Sequence, residues 1–151
     1  MKKAAFFDRD GTLIKDVSYL SCISDVELLP GAIDLCLRLQ AENYLLFVVT
    51  NQSGIGRGLL DHDFVEKTHQ YLGRLFADNG VVFTQFYYCP HHPSQNCLCR
   101  KPSPGMLAQA SREHNLDLTR SLMFGDRESD VRAGVTAGCK SFYITKVLEN
   151  L

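Results

Sequence analysis

The sequence predicts a doubly wound α/β fold around a parallel sheet, and three observations carry that prediction. Short β-rich apolar runs alternate with stretches of helical periodicity along the whole chain. A side chain able to do chemistry stands at the end of three of those runs, at Asp8, Thr50 and Asp126. No linker, repeat or low-complexity tract interrupts the 151 residues, which suits a single domain over 1–151. Strands alternating with helices pair in parallel through right-handed crossovers. Functional sites in such sheets lie beyond the carboxyl ends of the strands, where these three residues would converge.

The elements follow in order. Ala4-Ala5-Phe6-Phe7 reads as a buried strand stopped by Asp8-Arg9-Asp10-Gly11. Ile33, Cys36 and Leu37 fall at helical spacing after Pro30-Gly31, and Leu45 to Val49 is a second strand running into Thr50-Asn51-Gln52. Phe64, Thr68, Tyr71, Leu72, Leu75 and Phe76 mark one face of a helix entered through Asp61 or Asp63. Val81 to Tyr88 is strand-like, and Ser103-Pro104 reads as an N-cap with proline at the first helical position. Leu122 to Phe124 is a short strand, Val131 to Ala137 a helix, and Ser141 to Ile144 a last strand.

Composition narrows the function. Hydrophobic residues make up 45% and charged residues 22%, with a formal net charge of -1. That balance offers no electrostatic basis for nucleic acid or an anionic membrane as partner. No apolar run reaches the roughly 20 residues of a membrane span. The first residues meet Asp8 before any signal-peptide core can form. A cytoplasmic, monomeric protein acting on a small molecule is the expectation. Three of the six cysteines lie within the eleven residues from Cys89 to Cys99, beside histidines, which favours metal ligation over disulfides.

The first motif is Asp8-Arg9-Asp10-Gly11-Thr12-Leu13. Two carboxylates two residues apart after a strand can face one substrate, with Gly11 permitting the sharp turn. Phosphate monoesters repel an anionic nucleophile, so a carboxylate attacking one needs a cation such as Mg²⁺ beside it. Asp8 would attack phosphorus, and Asp10 would protonate the leaving oxygen and then activate the water that cleaves the acyl phosphate. Thr50 supplies a hydroxyl, Asn51 and Gln52 supply amides, and Lys101 supplies a fixed cation. Asp126 can complete the Mg²⁺ shell, with Asp130 orienting the site from behind. Each residue alone has a bland explanation: an acidic turn, a strand hydroxyl, a surface charge.

In this order the four elements resemble the haloacid dehalogenase superfamily of aspartyl-phosphate phosphatases, over Asp8 to Asp130. The resemblance implies a Rossmann-like core. It makes Asp8 the nucleophile and Asp10 the acid/base, with Thr50 and Lys101 on the transferring phosphoryl group. Its Mg²⁺ site is Asp8, Asp126 and the backbone carbonyl of Asp10.

Cys89, His91, Cys97 and Cys99 suit a closed tetrahedral zinc site over loop 89–99, structural because it leaves no position for water. His92 competes with His91 as the ligand. Such a site would hold Arg100-Lys101 in place. The remaining cysteines, Cys22, Cys36 and Cys139, read as packing residues. The zinc loop running into Arg-Lys-Pro is similar to a branch of the superfamily that acts on heptose bisphosphate or histidinol phosphate and lacks a large cap domain. That likeness implies substrate contacts from Asp16 to Tyr19, Thr50 to Ser53, Arg100, Lys101 and Arg127. Arg57, in the Gly54-x-Gly56-x-Gly58 loop, either touches substrate or is solvated. Five residues between His91 and Cys97 make a loop closer to the histidinol phosphate type, whereas the rim arginines favour the bisphosphate. A catalytically silent zinc module and a phosphoryl transferase are the competing classes.

Overall fold

Ala4–Phe7 forms β1, and all four side chains are fully buried. Such a strand must be covered on both faces, as in a parallel sheet layered between helices. In the computed structural model, which describes residues 1–150, β1 pairs in parallel with β2 (Leu45–Asn51) and with β4 (Leu122–Gly125). Outside them lie β3 (Phe83–Cys89) and β5 (Lys140–Tyr143), giving the order β3-β2-β1-β4-β5. The chain runs outward from β1 to β3, then returns to the other side for β4 and β5. The reversal falls between β1 and β4, where a crevice opens at the carboxyl ends. Asp8 follows β1 and Asp126 follows β4, one on each side of that crevice.

Alternate strand residues point to opposite faces, and the helices cover both. Ala5 and Phe7 pack with α1 (Ala32–Ala41), α2 (His62–Ala77) and α5 (Ile144–Glu149) through Leu35, Leu39, Leu72, Phe76 and Ile144. Ala4, Phe6 and Phe47 pack with α3 (Gly105–His114) and α4 (Glu128–Ala137) through Met106, Leu107 and Ala133. Phe47 is fully buried and stacks on Phe6 at 5.4 Å between ring centres. Phe47→Ala is therefore expected to cost about 3–5 kcal/mol, read as a lower urea midpoint at unchanged slope.

Several local expectations need correction. Leu37 is exposed, because α1 buries the stripe Ala32, Leu35, Cys36 and Leu39 instead. Asp61, not Asp63, caps α2 by accepting from the Phe64 N–H at 2.8 Å. The buried face of α2 is Val65, Thr68, His69, Leu72 and Phe76, with Phe64, Tyr71 and Leu75 only bordering it. α3 begins at Gly105 with Pro104 in the cap position, so Ser103 caps nothing. Ile144 starts α5, a helix too short to show periodicity in sequence, rather than ending β5. Cys36 and Cys139 are buried as packing residues, but Cys22 is exposed, its Sγ 2.9 Å from Ser24 Oγ.

The segment from β1 to α1 holds only a 3₁₀ turn at Ile23–Asp25 and isolated bridges, and that from β2 to α2 only turns. Nothing of domain size covers the rim among the described residues. No helix among them is long and apolar enough to cross a membrane.

Candidate active site

The site starts where β1 ends. Gly11 adopts φ +85°, and a side chain there would run into the Asp126 carboxylate. Only glycine lets the Asp8–Asp10 turn close against the end of β4.

Lys101 is buried, and its ammonium donates to Asp8 Oδ1 at 2.7 Å, Asp130 Oδ1 at 2.7 Å and the Val49 carbonyl at 2.8 Å. All three of its donors are used, as burial of a charge demands. Asn51 grips the Lys101 backbone from the end of β2. Its amide donates to the Lys101 carbonyl at 3.2 Å and accepts from the Lys101 N–H at 3.0 Å. Asn51, expected to touch substrate, thus uses its amide on the segment that carries the lysine. Asp130 Oδ2 accepts from the Arg127 N–H at 3.0 Å at the start of α4, so this acid anchors both Lys101 and the helix.

Asp8, Asp126 and Asp130 each offer an oxygen, all within 4.8 Å of one another. Burial pushes Asp8 up to about 7, although Lys101 pulls it down, and burial also raises Asp126. Asp126 Oδ1 is buried without any hydrogen-bond partner. A hard divalent cation answers both features, and oxygen-only ligands suit Mg²⁺. The residues present fit the metal expected from the sequence. Asp130 is taken by Lys101 and the helix start, which leaves Asp8 and Asp126 as the side chains to hold the ion.

The Asp10 carboxylate is gripped from behind. Arg9 donates Nε to Oδ1 and Nη2 to Oδ2, each at 3.1 Å, and Gln52 Nε2 donates to Oδ2 at 3.1 Å. The remaining metal contact assigned to Asp10 is its backbone carbonyl. Gln52 Nε2 also donates to Thr50 Oγ1 at 2.9 Å, tying Asp10 to the end of β2.

Asp8, Asp10, Asn51, Gln52, Lys101 and Asp130 line a cavity of about 350 Å³. Of the residues assigned to chemistry or substrate, Thr50 and Asp126 do not line it, whereas Asp16, Tyr19, Ser53, Arg57, Arg100 and Arg127 do. Arg127 pairs with Asp16 at 3.2 Å, and the Arg57 guanidinium lies 5.9 Å from the ring centre of Tyr19. Both contacts are exposed and individually weak. Tyr19 holds φ +49°, a left-handed backbone uncommon outside glycine, which turns the 16–20 segment over the cavity. Arg100 Nη1 is buried with no partner.

At the other end of Lys101 stands the Cys/His loop. Sγ of Cys89, Cys97 and Cys99 and a ring nitrogen of His91 all lie within 4.8 Å of one another. Nδ1 of His91 is 3.2 Å from Cys99 Sγ. His92 instead accepts from the Ser94 N–H at 3.1 Å and caps a 3₁₀ turn, so His91 is the histidine of the cluster. Burial raises the Cys97 thiol, but the Arg100 N–H and the neighbouring thiols outweigh it and bring it down to about 6. Three sulfurs and one imidazole nitrogen so placed can bind zinc. The Gly56 N–H donates to the Pro90 carbonyl at 2.9 Å, and a side chain on Gly56 would meet the His92 backbone. The Gly54–Gly58 loop is thereby docked on the cysteine loop.

Arg9, and behind it His69, whose Nε2 lies 3.2 Å from Arg9 Nη1, escaped the sequence reading. The available signals were an arginine between two acids and a histidine at a position sharing a helical stripe with Val65, Leu72 and Phe76.

A parallel sheet with an aspartate pair after β1 and a buried lysine among carboxylates at its switch point defines a hydrolase of the HAD type. Comparison agrees. The HAD-hydrolase-like family model matches residues 98–146. The D-glycero-beta-D-manno-heptose-1,7-bisphosphate 7-phosphatase of Pasteurella multocida is 43% identical over 97% of this chain and 83% of its own. That of Haemophilus ducreyi is 44% identical over 97% of this chain and 82% of its own. The crystal structure of D,D-heptose 1,7-bisphosphate phosphatase from B. bronchiseptica, complexed with magnesium and phosphate, superposes with a TM-score of 0.87. It is 32% identical and covers 99% of this chain and 87% of that one. The chain belongs to the D-glycero-D-manno-heptose-1,7-bisphosphate 7-phosphatase family, and it is a phosphatase.

Proposed function

We propose that this phosphatase removes the 7-phosphate of D-glycero-D-manno-heptose 1,7-bisphosphate through an aspartyl phosphate on Asp8. Asp8 forms the new P–O bond as the ester P–O bond breaks, and Asp10 gives its proton to the leaving oxygen. Asp10 then takes a proton from the water that cleaves the acyl phosphate, restoring both residues. Lys101 balances charge on the phosphoryl oxygens from its fixed position beside Asp8. Mg²⁺ held by Asp8, Asp126 and the Asp10 carbonyl would supply the positive charge that lets a carboxylate approach a phosphate dianion.

The observation that carries the bisphosphate reading is Arg100, which lines the cavity and joins no ion pair among the described residues. A second phosphate would give this guanidinium a charge-assisted partner. Histidinol phosphate would instead need acidic or aromatic partners for its amine and imidazole. Asp16 already pairs with Arg127, and Tyr19 faces Arg57. The expected result is a kcat/KM for the heptose bisphosphate at least about tenfold above that for histidinol phosphate, roughly 1.4 kcal/mol in transition-state binding. A tenfold preference the other way would reverse the substrate assignment and leave the phosphatase chemistry intact.

The enzyme is further read as a single-domain monomer of the cytoplasm. All six cysteines are free, in keeping with a reducing compartment.

A further inference from the structure

A guanidinium is rarely buried without a purpose, and Arg9 is 2% exposed. Two of its nitrogens fork onto the two oxygens of Asp10. The third, Nη1, lies 3.2 Å from His69 Nε2 on α2. A guanidinium has donors only, so Nε2 must accept, and the imidazole is neutral with its proton on Nδ1. Burial, then the Arg9 charge, holds His69 down to about 3, in keeping with that neutral form. The ring cannot turn freely. It stacks on Phe86 at 4.8 Å and 25°, and meets Tyr88 edge-on at 5.7 Å.

We infer that His69 and Arg9 are positioning residues that fix the plane of the Asp10 carboxylate for proton transfer to the leaving oxygen. The inference rests on the reading of Asp10 as the acid/base. β3 and α2 hold the imidazole, the imidazole holds Nη1, and the guanidinium fork holds both oxygens of Asp10. Removing the acceptor leaves Nη1 unsatisfied beside aromatic rings, and Arg9 must rotate to find another partner. The fork then breaks, and the carboxylate loses the alignment that proton transfer requires.

The readout is dependence on the leaving group. The phenolate of p-nitrophenyl phosphate departs without a proton, whereas the alkoxide of a sugar phosphate needs one. kcat/KM covers steps only up to the first irreversible one, so the later hydrolysis of the acyl phosphate does not enter once the leaving group has departed. For His69→Phe, kcat/KM on the sugar phosphate is expected to fall about ten- to a hundredfold, and on the aryl phosphate by less than about threefold. His69→Gln, whose amide oxygen can accept from Arg9, is expected to recover most of the loss. Should His69→Phe give no folded protein, Arg9→Lys, which keeps the charge but cannot fork, carries the same comparison. Equal losses on both substrates, no loss, or no recovery in folded His69→Gln would overturn the inference. Asp10→Asn in the same series separates the two readings. If it fails to discriminate between leaving groups, the acid/base role itself falls. If it discriminates and His69→Phe does not, only the positioning role falls.

Discussion

Asp8→Asn is expected to lower kcat by about a thousandfold or more while the protein folds as before. The asparagine keeps the shape of the side chain and an oxygen that can accept from Lys101, which now donates to Asp8 at 2.7 Å. What it loses is the negative charge and lone-pair reactivity that attack phosphorus. Stability should change little, because Asp130 still pairs with Lys101 at 2.7 Å and the Asp8 charge is itself disfavoured by burial and by the neighbouring Asp130. Turnover of an aryl phosphate measured beside the melting temperature checks both halves. Folded variant protein with near-normal turnover would falsify the aspartyl-phosphate mechanism.

Cys97→Ser is expected to take bound zinc from one ion per chain to none and to lower activity by about a hundredfold, with the central sheet intact. Loop 89–99 is short, rich in proline and polar residues, and has little apolar surface of its own to bury. Metal ligation replaces that packing, and structural zinc contributes on the order of 10 kcal/mol in small sites. The chain leaves the cluster at Cys99 and reaches Lys101 two residues later, so slack in the loop becomes slack in the lysine. Displacement of a catalytic group by about 1 Å can cost about a hundredfold in rate. Asn51 would still grip the Lys101 backbone, which is why the loss should be smaller than that of Asp8→Asn. The Gly54–Gly58 loop, bonded to the Pro90 carbonyl through Gly56, should loosen as well and raise KM for the proposed bisphosphate substrate. Elemental analysis and kinetics on the same preparation decide the matter. Full zinc occupancy in Cys97→Ser protein, or zinc loss without any loss of rate, would overturn this account of the loop.

The sheet was legible in the one-dimensional pattern because its strands are local apolar runs. Ala4–Phe7 is apolar without alternation, which marks a strand buried on both faces. The cysteine-loop ligands stand out by type and spacing, whereas Asp8, Asp10 and Lys101 took their expected roles from their order along the chain and from the superfamily resemblance it carries. Boundaries set by weak local preferences were less legible. Ser103 offered a cap that α3 does not use, and α5 is too short to repeat its period. The choice between His91 and His92 needed three dimensions, since adjacent residues share a spacing and differ only in where the backbone points them. So did the second use of Asn51, as a clamp on Lys101 from the neighbouring strand end. Arg9 and His69 stand 60 residues apart, and no local signal links an arginine in a turn to a histidine on a helix. Their contact exists because packing α2 against β3 buries both, and a buried guanidinium must find its acceptors wherever the fold supplies them. Sequence by itself determined which chemistry this chain can carry out. Tertiary structure decided which side chains hold the reacting groups in place, because that depends on burial, and burial is a property of the packed chain.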